Sequence, residues 1–293
     1  MMSKREDIRD ASMALSMDNG LIYTKLLGWI DLGHAQANDA RRLKSILLEE
    51  QGRKFFPEFN DWYFPVDYYQ EMGKNEKIFG LQFEGRIGVH SPLMVKSCLT
   101  WEVKRRIALT IMMKTAYRFE AFQESSLFSW RSDSGFSGED MVSDLVGFYR
   151  IFGEGIDPVI LAQPTTKEYA LWIWDYYGAI GTFKNKEFRP LLFPSPSPHS
   201  KSSPRKGFLP SWLNYIKPLS DLENNHIVNR YQNEPLKDLF TDTNRINQEL
   251  YISLRKHGWD VTNNQKNTLM PPNIHMSEHT PLRVDYFTID NDY

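Results

Sequence analysis

The stretch from Thr100 to about Phe128 constrains the fold more than any other. Val103, Ile107, Ile111, Met112, Thr115, Phe119 and Phe122 recur mostly three and four residues apart, the spacing of one helix face. Within it, "IALTIMM" is apolar almost all round. A helix apolar on every side needs covering on every side. The spacing therefore predicts a long central helix against which the rest of the chain packs.

Other segments divide by period. In "SGFSGEDMVSDLVGFYRIFGEG", Met141, Leu145, Phe148 and Tyr149 make a core face, Ser137 reads as N-cap and Gly153 as the stop. "TTKEYALWIWDYYG" predicts another helix, capped by Thr165 or Thr166 and closed by Gly178. Asp39 opens a helix over "ARRLKSILLEEQ". "LIYTKLLGWIDLGHA" predicts a strand or a pair of short extended pieces. Pro57 and Pro65 make "FFPEFNDWYFPVDYYQEM" read as loop and short strand, while "KIFGLQFEGRIGVH" alternates like a strand. The expected class is α+β, a helix-dominated domain with a long central helix and a small sheet. Residues 1–192 form the expected main domain. Residues 193–207, rich in Pro and Ser, read as an exposed linker or long loop. Residues 208–293 read as a C-terminal extension with a helical patch at "RINQELYISLRKHG" and a strand at "RVDYFTID".

Bulk properties exclude several partners. The formal net charge of −2 gives no field for nucleic acid or an anionic membrane. No window approaches the run of about 18 apolar residues that a membrane span needs. The start, "MMSKREDIRD", is charged and lacks an apolar core, so cytoplasmic synthesis is expected, with export only by a specialised secretion system. The single cysteine, Cys98, excludes an internal disulfide and reads as a small core residue of "LMVKSCL". Aromatic residues reach 14%, enough for an aromatic core or cleft walls, for which Trp62, Tyr63, Tyr68 and Trp130 are candidates.

Candidate chemistry begins on the central helix. Leu109, Met113 and Ala116 mark one apolar side, and Glu120 arrives next on it. A carboxylate there loses water, and the rise in pKa suits a general acid or base near neutral pH. The structural alternative is an ion pair with Arg118 or Arg150. On the following helix, Asp140 and Asp144 are four apart and share a face with Ser143 and Gly147. Like charges at that spacing repel unless a cation lies between them. Capping accounts for Ser137 and Asp140 but leaves Asp144 without a reason. In "GWIDLGHA", Asp31 and His34 end an apolar run and project from the turn after it. A histidine beside a carboxylate serves both metal ligation and base catalysis. H-E-x-x-H, G-x-S-x-G, Walker A and G-x-G-x-x-G signatures are absent from the sequence.

Three stretches in order, "GLIYTKLLGWIDLGHA", "YRFEAFQE" and "SGFSGEDMVSDLVGFY", resemble blocks of a bacterial family with no assigned reaction. Its pattern is G-x-I-D-x-G-H, then a His-Glu or Phe-Glu pair, then Ser-x-Glu-Asp followed by Ser-Asn-Leu. The likeness covers roughly residues 20–155. It implies site positions at Asp31, His34, Glu120, Ser137, Glu139, Asp140 and Ser143. Phe119 stands where some relatives carry His, and Asp144 where Asn is usual.

The expected function is a hydrolase-like enzyme, an exported bacterial effector or toxin acting on cell-envelope material. Glu120 is its expected general acid or base. His34 is a second base, with Asp31 orienting it. Ser137, Glu139, Asp140, Ser143 and Asp144 support them. A divalent metal, if bound, would take His34, Glu120 and Asp140. Expected partners are a small-molecule or envelope substrate, or a protein such as an immunity protein. The rival expectation is a binding or adaptor protein whose polar residues are caps and buried ion pairs.

Overall fold

The structure, a computed structural model, describes residues 3–78, 81–124, 135–197, 202–219, 225–230 and 249–256. In chain order come β1 (Leu21–Thr24), β2 (Gly28–Asp31), α1 (Asn38–Glu49), β3 (Lys54–Phe56), β4 (Asp61–Ile78), β5 (Leu81–Lys96) and α2 (Trp101–Glu124). Then follow α3 (Asp140–Phe152), α4 (Pro158–Leu161), α5 (Lys167–Tyr177), β6 (Leu191–Leu192), β7 (Arg205–Lys206), β8 (Ile227–Asn229) and β9 (Glu249–Lys256). The fold is α+β. The chain divides into two compact units, one of Met1–Glu49 and Leu99–Leu219, the other of Glu50–Cys98 and Ser220–Tyr293.

The first unit holds the helices. Ile107, Ala108, Leu109, Ile111, Met112, Ala116 and Phe119 of α2 are buried, and so are Thr110, Thr115 and Glu120. This helix is enclosed as its all-round apolar composition requires. Its expected continuation to Phe128 lies outside the described residues. α3 buries ten of its thirteen residues and packs against both α1 and α2. Its start differs from expectation. Glu139 is the N-cap residue, without a capping side-chain bond, and the Ser137 N–H instead donates to Asp140 Oδ2 at 2.9 Å. Ser137 therefore lies outside the helix, and Asp140 fixes the entering chain. α5 opens on Thr166, whose hydroxyl accepts the Tyr169 N–H, and closes at Gly178.

β1 and β2 form an antiparallel hairpin, β2 runs parallel to β6, and β7 completes the four-stranded sheet. The stretch 193–207, expected as an exposed linker or long loop, instead joins this unit at both of its ends. Phe193 is buried with Tyr23, Trp29, Ile173 and Trp174, and Arg205–Lys206 pair with β6. Rings meet edge to face here, Tyr23 to Trp29 at 5.1 Å and Trp29 to Trp174 at 5.7 Å, the arrangement their quadrupoles favour.

The second unit is a sheet ordered β3, β4, β5, β8, with β9 also on β5. The aromatic stretch expected as loop and short strand supplies β3 and much of β4. Pro65 lies beyond the β3 pairing, where β4 has one neighbouring strand among the described residues, a position that tolerates a missing N–H. Glu249–Lys256, expected to be helical, is a strand antiparallel to β5. Leu250, Ile252 and Leu254 carry a period of two that outweighs the helical reading. Cys98 is not a core residue. It is exposed, with φ of +61°, and its N–H is held by the Glu50 carboxylate. The expected strand at residues 283–290 lies outside the described residues. No helix among the described residues is long and apolar enough to cross a membrane.

Gly28 fixes the hairpin to the rest of its sheet. Its φ is +71°, and a Cβ there would meet the Leu191 carbonyl oxygen at 2.1 Å. Gly28→Ala combines a strained backbone with a clash against another backbone. It is expected to destabilise the protein by about 3 kcal/mol or more, measured by urea unfolding.

Candidate functional site

The site is assembled from three pieces of the first unit. The first is the turn after β2. Asp31 Oδ1 accepts the N–H groups of Gly33 at 2.6 Å and His34 at 3.3 Å, an Asx-type turn. The turn sets His34 at the head of one 3-10 turn, His34–Gln36. The second piece is the face of α3 bearing Asp140, Ser143, Asp144 and Gly147. Gly147 lets this face come close, since a Cβ there would lie 2.8 Å from the His34 carbonyl oxygen. Ser143 ties the two together, accepting the Asp31 N–H at 2.9 Å while donating to the Glu139 carbonyl at 2.6 Å. Arg150 adds a second tie, donating to the Ala35 carbonyl at 2.8 Å and to Asp157 at 2.9 Å. It is thus engaged there and does not serve as the expected ion-pair partner of Glu120.

The third piece is Glu120 of α2, only 1% exposed. Its Oε2 accepts the Phe136 N–H at 2.8 Å, and its carboxyl hydrogen-bonds to that of Asp140. Phe136 holds φ of +54°, an uncommon conformation for an aromatic residue.

His34 is gripped by α3. Its Nδ1–H donates to Asp144 Oδ1 at 2.9 Å, and its Nε2 lies 4.0 Å from Asp140 Oδ1. The ring is therefore oriented by Asp144. Asp31, expected to orient it, binds the backbone of the turn instead, because a short carboxylate reaches its own following N–H groups first. Glu139 is 2% exposed and takes the hydroxyls of Ser137 and Ser3, the latter at 2.9 Å. Ser3 and the Phe136 amide were not foreseeable. One is a lone hydroxyl far away in sequence, and the other is a main-chain group that no residue type reveals.

Asp31, His34, Glu120, Ser137, Glu139, Asp140, Ser143 and Asp144 are thus linked by contacts or by charge. Of the aromatic wall expected around them, Trp62, Tyr63 and Tyr68 belong to the other unit, and Trp130 lies outside the described residues.

Electrostatics separates the groups. Burial raises the Glu120 pKa to about 7, with Asp144 adding to it and His34 opposing. Burial and the neighbouring Glu120 and Glu139 push Asp140 well above its ordinary range. Burial also raises Glu139. For His34, burial disfavours the charged ring, but Asp144, Asp31 and Asp140 outweigh it and hold its pKa well above 6.5. At neutral pH the site therefore contains an imidazolium beside carboxyls that hold protons. Two carboxyl groups in hydrogen-bond contact need such a proton between them, and they titrate as a pair. The expected metal set of His34, Glu120 and Asp140 has one imidazole nitrogen engaged by Asp144. Among the described residues no group of three or more His, Cys, Asp or Glu is placed to hold a metal ion.

No family model matches the chain, and comparisons with curated proteins and with solved structures found no match.

The shifts fix a pH dependence. Between pH 4.5, the ordinary Glu value, and about 7, folded Glu120 keeps a proton that the unfolded chain releases. Its contribution is present below this window and is lost as pH rises through it, by roughly 3 kcal/mol. His34 acts in the same direction, its contribution being lost as pH climbs from 6.5 through its raised folded value. Melting temperatures are expected to fall from acid toward alkaline pH. Glu120→Gln, which cannot ionise, should show a shallower fall between pH 4.5 and 7, the remainder coming from Asp140, Glu139 and His34, and be the more stable protein at pH 8.

Proposed function

We propose that the chain is a hydrolase whose acid–base centre is His34 together with the Glu120–Asp140 carboxyl pair. The observation that carries this reading is a buried, proton-holding carboxyl pair next to a histidine that an aspartate orients. The side chain of His34 is 27% exposed, against 11% for Asp140 and 10% for Asp144, so the imidazolium is the member that meets a substrate. Held by Asp144 through Nδ1, it offers Nε2–H to the leaving atom as a water molecule adds to the scissile bond, and the proton that water loses is taken up by the carboxyl pair. Asp140 and, behind it, Glu120 pass that proton on to His34. With a pKa near neutrality Glu120 can alternate between its two forms at working pH. The surplus of carboxyl groups favours a neutral or cationic substrate group at His34.

The proposed substrate is cell-envelope material, and the proposed route to it is export by a specialised secretion system. Both rest on the sequence, through its likeness to a bacterial family. Production in the bacterial periplasm and in the cytoplasm tests them together. Periplasmic wild type is expected to slow growth, while His34→Ala and Glu120→Gln are not. Equal growth of all strains in both compartments overturns the envelope reading.

The depth of Glu120 and Glu139 favours a second reading, a binding or adaptor protein whose polar cluster only ties α2, α3 and the β2 turn together. The two readings part on substitution. As a structural tie, Glu120 and His34 should be needed for stability, so Glu120→Ala and His34→Ala should each lower the melting temperature by several degrees, with about 2 kcal/mol lost from orphaned partners. As a catalytic site, loss of function should instead come without loss of stability.

A further inference from the structure

A cleft of about 610 Å³ opens in the first unit beside the turn after β1, the start of α5 and the residues following β6. That volume lies in the range of small-molecule sites, roughly 300–1,000 Å³. Tyr23, Tyr169 and Phe193 form an aromatic side. The Tyr23 ring centre lies 6.0 Å from that of Tyr169 and 6.4 Å from that of Phe193. This side is preformed, since the Tyr23 hydroxyl donates to the Phe193 carbonyl at 2.8 Å and accepts the Phe193 N–H at 3.2 Å. A wall already locked by hydrogen bonds costs a ligand little ordering.

The charged residues lining the cleft are Lys25 and Arg205, both exposed, and no carboxylate lines it. Neighbouring cations have acidic partners. Lys206 binds Glu187, and Arg189 lies 3.7 Å from the same carboxylate. Lys25 and Arg205 have no acidic partner among the described residues. Two such cations lining a cleft with an aromatic side select an anion with a flat or apolar body. We propose that this cleft binds an organic anion, its ring against Tyr23 and Tyr169 and its phosphate or carboxylate between Lys25 and Arg205. The site shares no residue with the acid–base cluster, so either can fail without the other.

The intact protein is titrated with pyranine, an aromatic trisulfonate, followed by fluorescence anisotropy. Bound pyranine is then displaced with phenyl phosphate, phthalate or phenol. Salt-sensitive binding is expected, weakened at least about tenfold in Lys25→Ala/Arg205→Ala and unchanged in Lys206→Ala. Both side chains are exposed, so the melting temperature of the double variant should match wild type. The charge-conserving Lys25→Arg/Arg205→Lys protein should still bind. Stronger displacement by phenyl phosphate assigns a phosphate ligand, and stronger displacement by phthalate a carboxylate. The proposal is overturned if pyranine does not bind, if the double variant binds as wild type does, or if phenol displaces as well as the anions.

Discussion

The site depends on the meeting of the Glu120 and Asp140 carboxyls away from water, where burial raises the pKa of both. Two ionised carboxylates in contact and away from water would repel each other strongly, and burial multiplies that repulsion. Protonating the pair turns the contact into a hydrogen bond. α2 and the start of α3 can then approach, and the Phe136 amide finds its acceptor in Glu120 Oε2. The imidazolium of His34 is the counterweight. Its charge lies beside the carboxyls of Asp140 and Asp144 on one helix face. The site is best regarded as one titrating unit in which moving a proton at any member alters the rest.

The second constraint is main-chain economy around that unit. The turn after β2, the lead into α3 and the carbonyl of Ala35 are each fixed by a side chain that also belongs to the cluster or borders it. Asp31 binds the turn, Asp140 receives the Ser137 amide, and Arg150 takes the Ala35 carbonyl. These residues join positional and electrostatic work. Substitution of one of them therefore moves geometry and charge at once, and activity data alone would not separate the two.

Elements with a strong period were legible in the sequence. α2 was visible because its apolar residues leave no solvent face, and the β1–β2 hairpin because an apolar run breaks twice at polar turns. Glu120 stood out as the one carboxylate on an apolar helix side. Partners were less legible. Asp144 was marked as a supporting residue that capping could not explain, but its contact with His34 spans 110 positions that no local pattern reports. Asp31 was assigned to the ring because nearness in sequence favours that reading, whereas a short carboxylate satisfies its own turn first. The long β4–β5 hairpin was missed in part because Pro65 punctuates it, and β9 because a polar start masked its alternation. In each case a pairing between distant segments overrode a local signal.

Gly147 gives the arrangement a cost that shows nowhere in the polar chemistry. A glycine inside a helix weakens it by about 1 kcal/mol relative to alanine, and it sits here in the middle of α3, the most buried helix of the unit. Local helical strength is surrendered at the point where the histidine turn must come near. Position 147 should therefore look, in any survey of tolerated residues, as restricted as a reacting side chain. It would do so without possessing a reactive atom, because what is constrained there is an empty volume.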